Sequence, residues 1–101
     1  MRIDAFGTAL SGIQSASRRQ AVSAHNVANL TSEDVRPLRA EQRARAAGGS
    51  EVTVSRAAEP EPVELSHEII EQIRARVQLE ASAGVVRTAS EMTGTLIDLL
   101  A

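Results

Sequence analysis

From Ile3 to about Asn29 the large apolar residues fall at Ile3, Phe6, Leu10 and Ile13, and the pattern resumes at Ala24 and Val27. These spacings of three and four trace one seam along a helix, so the segment reads as a long amphipathic helix whose seam weakens where Ser17 and Gln20 take its middle positions. Ala5, Ala9, Gly12 and Ala16 form a second stripe at the same spacing, made of small residues that let another helix approach closely. One partner would not cover both stripes. The Asn and Thr content of residues 26–31 favours termination there, because Asn tolerates the left-handed backbone that closes helices, and the boundary is set at Asn29.

Helical spacing returns after Pro62. Its seam is Ile70, Ile73, Val77, Ala81, Gly84, Thr88, Met92, Thr95 and Leu99, widened by Ile69, Val85, Leu96 and Leu100. Ser66 is read as the N-cap, and Glu68 and Glu71 stand in the first turns, where carboxylates favour the positive end of a helix. Between the two patterns, Gly48, Gly49, Pro60 and Pro62 interrupt a stretch rich in Arg, Glu and Ala, which reads as a linker. Within it residues 39–47 suit a short helix and Val52 to Val54 a brief strand, neither with a visible partner. The expected architecture is therefore all-α. An N-terminal helix (1–29) and a C-terminal helix (63–101) form an antiparallel coiled-coil hairpin across a poorly structured linker (30–62).

Composition sharpens this picture. In 101 residues Phe6 is the only aromatic, and Cys is absent, so neither a large aromatic core nor a disulfide framework is available. The expected core is Ile3, Phe6, Leu10, Ile13, Val27, Ile70, Ile73, Val77, Met92, Leu96 and Leu99. Burying these side chains offsets only part of the entropy lost on ordering two long helices, which points to folding completed by assembly. A formal net charge of −2 with mixed signs gives no electrostatic case for nucleic acid, and no run of residues is apolar enough for membrane insertion.

Candidate chemistry is sparse. His25 and His67 have no metal-ligand spacing. Arg36, Arg39, Arg43 and Arg45 form a basic cluster diluted by Glu33, Asp34 and Glu41, without stacking aromatics, and read as a solvated loop. Glu68, Glu71, Glu80 and Glu91 have Arg74, Arg76 or Arg87 nearby, as on an exposed charged face. No catalytic set, cofactor site or metal site is read from the sequence, and no enzyme activity is expected.

The segment Ala9-Leu10-Ser11-Gly12-Ile13-Gln14, with Ala24-His25-Asn26-Val27-Ala28-Asn29-Leu30-Thr31, resembles the N-terminal signature of bacterial flagellar rod and hook proteins. The run Val63-Glu64-Leu65-Ser66-His67-Glu68-Ile69-Ile70, with Thr88-Ala89-Ser90-Glu91-Met92, is similar to the closing helix of the same family, small proximal rod proteins above all. Thr31 is followed here by Ser32-Glu33-Asp34 in place of the family's T-x-G-Y/F-K, and Leu79 and Ser82 replace the Tyr and Asn of its closing helix. The resemblance implies a structural subunit of the periplasmic rod of the flagellar basal body, built into a tube by its terminal helices. It implies partners in other rod and hook subunits, in copies of the chain and in the flagellar type III export apparatus, with export lacking a cleaved signal peptide. The subunit interface is then expected at Ile3, Phe6, Leu10, Ile13, Asn26, Val27, Asn29, Ile70, Ile73, Val77, Met92, Leu96 and Leu99. For Asn26 and Asn29 the contact role rests on the resemblance, since the spacing by itself supports a helix C-cap. The alternative function is a helical-hairpin adaptor or export-associated binding module that holds one partner helix in a groove.

Overall fold

The computed structural model describes residues 2–100, and the side chains of residues 5–100. Helix α1 spans Arg2–Ala28, strand β1 Leu38–Ala44, strand β2 Ser50–Arg56 and helix α2 Leu65–Leu100. The two helices lie antiparallel: Ser23 meets Glu68 and Gln72, Gly12 meets Gln78 and Ser82, and Ala5 lies near Val85 and Ala89. The result is a slender body of 63 × 24 × 14 Å.

The all-α expectation is corrected by the β-hairpin that fills most of the supposed linker. Residues 39–47 do not form a helix. Leu38–Ala44 pairs antiparallel with Ser50–Arg56 from Leu38 opposite Arg56 to Ala44 opposite Ser50. The proposed short strand at Val52 to Val54 is the middle of β2 and has this partner. Pairing continues past the strands, with the Ala57 amide donating to the Pro37 carbonyl at 2.9 Å and the Glu61 amide to the Val35 carbonyl at 2.9 Å. Arg39 and Glu61 add an ion pair across the same side.

The hairpin forms because α1 offers it a dedicated stripe. Thr8, Ser11, Ser15, Arg19, Val22 and Asn26 recur at spacings of three and four, one helical face, and every contact from α1 to the sheet described below comes from it. At the turn, the Gly48 and Gly49 backbones have φ of 104° and 80°, a region that residues with a Cβ enter at a cost. Gly49 also lies so close to Ser11 that a Cβ would fall 2.4 Å from Ser11 Oγ and 3.2 Å from its Cβ. The Ser11 hydroxyl accepts the Ser50 amide at 3.1 Å, and the Ser15 and Ser50 hydroxyls bond each other at 2.9 Å.

A second stripe of α1 faces α2. Ala9 and Ala16 are buried there, and across from them Ala75 has no exposed surface. A Cβ at Gly12 would come within 2.5 Å of Ser82 Oγ, so the helices approach each other through their smallest residues. This corrects the expected core: the large apolar seam is not what joins the helices. Phe6, Leu10, Ile70, Ile73, Val77, Met92, Leu96 and Leu99 are all more than two-fifths exposed. Helix α2 also begins before the expected N-cap Ser66. It starts at Leu65, and Glu64 accepts the Glu68 amide at 3.0 Å.

The turn gives a direct test. G49A places an alanine at positive φ against Ser11 and is expected to destabilise the fold by about 1–3 kcal/mol. G7A, on an open helical position, is expected to be neutral or stabilising by up to about 1 kcal/mol. Thermal denaturation followed by circular dichroism measures both.

Candidate assembly surface

The sequence places Asn26 in a helix-ending N-x-x-N element, and the structure makes it the point where all three parts of the fold meet. Its side chain is 2% exposed. Oδ1 accepts the Leu38 amide at 2.8 Å, while Nδ2 donates to the Leu38 carbonyl at 2.9 Å and to Glu68 Oε2 at 3.2 Å. One amide thus captures both backbone groups of the first residue of β1 and the carboxylate of the first turn of α2. Only a side chain with both a donor and an acceptor can do this. Asn26 is therefore neither the expected C-cap nor an exposed subunit contact, because its hydrogen-bonding groups are spent within the chain.

Polar contacts extend from this point along the inter-helix seam. Ser23 Oγ donates to the Glu68 carbonyl at 3.1 Å and accepts from Gln72 Nε2 at 3.2 Å. Arg19 reaches Gln42 of β1 at 3.1 Å, Gln78 of α2 at 2.9 Å and Glu71 at 3.3 Å. Gln78 in turn donates to the Gly12 carbonyl at 3.0 Å. Glu68 is 7% exposed, and a buried carboxylate needs such partners. Among the described residues, no buried side-chain nitrogen or oxygen lacks one.

Asn29 takes the capping role. Its amide bonds the His25 carbonyl at 3.2 Å and its Nδ2 the same oxygen at 2.8 Å, closing the last turn of α1. His25 and His67 are both exposed. The basic cluster is dispersed into separate partnerships: Arg36 donates to the Ala57 carbonyl, Arg39 pairs with Glu61, Arg43 with Glu41 and Arg45 with Glu51.

The remaining expected interface residues lie on two outer faces. On α1, Phe6 and Leu10 are 41% and 46% exposed, and Ile13 and Val27 are half-buried. This seam is a third face, apart from those given to the sheet and to α2. The side chain of Ile3, expected in the same seam, lies outside the described residues. On α2, Ile73 and Val77 each stand two positions from the buried Ala75. Residues two apart point about 200° away from each other on a helix, so they face away from α1. With Ile70, Met92 and Leu99 they form a long exposed apolar row, while Leu96, also exposed, stands seven residues after the buried Ala89 on the stripe turned toward α1.

Sequence reasoning picked out the small stripe on α1 and its capacity for close approach, but missed Ser11, Ser15, Arg19, Ser23 and Glu68 as the inner polar contacts. The i, i+4 recurrence of Ser11, Ser15 and Arg19 was the available signal. No family model matches the chain, and no curated protein matches it. Among the described residues no helix is long and apolar enough to cross a membrane.

The Asn26 node can be tested by replacing its amide. N26D loses the donors to Leu38 and Glu68 and sets a second carboxylate beside Glu68, so a loss of about 2–4 kcal/mol is expected near neutral pH. The gap to the parent should narrow in acid, where protonation removes the repulsion and restores a donor. N26L leaves the same groups unpaired without adding a second carboxylate, so its deficit should narrow less in acid than that of N26D. Urea denaturation across a pH series distinguishes the two.

Proposed function

We propose that this chain is a structural subunit of the bacterial flagellar axial structure, of the rod and hook class, and that it assembles through the outer faces of α1 and α2 into a tube with neighbouring subunits. One observation carries the proposal: the two helices pack through Ala9, Gly12, Ala16 and Ala75, while Phe6, Leu10, Ile70, Ile73, Val77, Met92, Leu96 and Leu99 are left outside. A chain this small gains little by holding its bulkiest side chains in water, and an extended apolar surface marks a place where another molecule binds. The terminal sequence resemblance names the kind of assembly.

The mechanism is mechanical. Long helices laid side by side distribute load over many small contacts, and apolar rows on more than one face let each subunit touch more than one neighbour, as a tube requires. The β-hairpin rests on the α1 stripe from Thr8 to Asn26, apart from the Phe6, Leu10 and Ile13 seam, which leaves both outer faces open. In this reading the partners are other rod and hook subunits, copies of the chain and the flagellar type III export machinery. The place of action is the periplasmic rod of the basal body.

Two measurements test the proposal. V77D and I73D alter residues 60% and 57% exposed within the chain, so each should leave the helical circular-dichroism spectrum of the folded chain unchanged. Each should also abolish incorporation into isolated basal bodies. Deletion of the gene, followed by electron microscopy of basal bodies, should show rods that are missing or truncated. Normal rods and motility in the deletion strain would overturn the assignment.

A further inference from the structure

The exposed row on α2 has a regular period that differs from that of its buried side. Toward α1, the helix uses Glu68, Ala75, Ser82 and Ala89, spaced by seven. The outer row runs Ile70, Ile73, Val77, then Ala81, Gly84, Thr88, then Met92, Thr95, Leu99, a repeat of three, four and four residues. Such an eleven-residue repeat keeps a stripe nearly straight along a helix, with a slight right-handed supercoil when it is paired.

The row is also symmetric about its centre. Reversed end for end, Ile70 falls opposite Leu99, Ile73 opposite Thr95, Val77 opposite Met92 and Ala81 opposite Thr88. Large residues meet large ones in the pairs Ile70 with Leu99 and Val77 with Met92, and small ones meet small ones in the middle. The centre is Gly84, where a Cβ would meet nothing from the rest of the chain within 4 Å, so another backbone can approach there.

Charge selects between the two ways of pairing two such rows. Along one edge stand Arg76, Glu80, Arg87 and Glu91, all exposed, alternating in sign. When the partner helix runs antiparallel, this edge meets its own copy reversed. Arg76 then faces the partner's Glu91 and Glu80 faces the partner's Arg87, each twice by symmetry, beside the Arg76 to Glu80 pair at 3.0 Å within each chain. A parallel partner would present its other edge instead, where Arg74 stands beside Gln78 and Val85, and the alternation would go unanswered.

We infer that the α2 outer face binds a second copy of this chain as an antiparallel, two-fold symmetric pair centred on Gly84. The row from Ile70 to Leu99 is about 44 Å long at 1.5 Å per residue, so the contact spans most of the helix. A closed two-fold pair cannot be the repeating contact of a polar tube. On the assembly reading above, the pair is therefore the form the subunit takes before incorporation, with its apolar row covered. The pairing itself does not depend on that reading.

The chain contains no cysteine, which makes cross-linking clean. Chains carrying V77C and chains carrying M92C, mixed and oxidised, should form a disulfide between the two kinds, because Val77 and Met92 face each other across the pair. Each variant alone should give little product, since its two thiols would lie about 22 Å apart. R87E should weaken dimerisation about tenfold by sedimentation equilibrium, and E80R/R87E should restore it to within about threefold. Strong cross-linking of V77C with itself, or a parent chain that is monomeric at tens of micromolar while remaining fully helical, would overturn the proposal. Loss of rods in a strain whose purified chain is monomeric would sink the pair and leave the assembly role standing.

Discussion

The close approach of α1 and α2 through alanine and glycine governs the rest of this structure. Ala16 and Ala75 are completely covered, and at Gly12 even a methyl group would crowd Ser82. Helices held this near each other have no room between them for Ile, Leu, Met or Phe. Bulky residues must then occupy other faces, and polar groups along the seam must find partners inside it. The ladder from Asn26 through Ser23, Arg19 and Gln78 answers the second demand, and the exposed rows follow from the first. A seam lined with larger apolar residues would push the helices apart and break the short side-chain bonds that register them.

The same geometry explains why the β-hairpin sits where it does. The sheet packs on α1 and its backbone does not pack on α2, because α1 spends a separate stripe on it. That stripe is polar and short-chained at the turn end, with Ser11 and Ser15 accepting or sharing hydrogens from Ser50, and it ends in Asn26, which grips Leu38 at the other end. The hairpin is thereby fixed at both ends by side chains of one helix. An isolated two-stranded hairpin has marginal stability in water, and these fastenings supply what its own small faces lack.

How much of this was legible in the sequence depends on which residues carried the signal. The two helices follow from apolar residues at spacings of three and four, and the small stripe at Ala5, Ala9, Gly12 and Ala16 was visible as a site of close approach. The choice between stripes was not visible. Periodicity shows that a face is apolar, but it does not tell whether that face meets the chain's own second helix or another molecule, and size suggested the wrong answer. The hairpin was hidden by composition. Leu-Arg-Ala-Glu-Gln-Arg-Ala is a good helix former residue by residue, and it becomes a strand because Asn26 captures Leu38 and because Val52 and Val54 line up beside it. Both causes are long-range, so no local window contains them. Asn26 itself was singled out for the wrong role: its amide was the clue, but its partners lie in two segments distant in sequence.

Because the hairpin leans on α1 alone, residues 2–63 form a set of contacts among chain neighbours, while α2 attaches by a single long seam. Contacts between near neighbours are made quickly, since little loop entropy is lost in closing them. During synthesis the first helix and its strand pair can therefore gather as soon as they emerge, leaving the second helix to zip on afterward. The same asymmetry works in reverse under strain: peeling starts at the seam, and a narrow channel that admits only one helix at a time would meet its least resistance there.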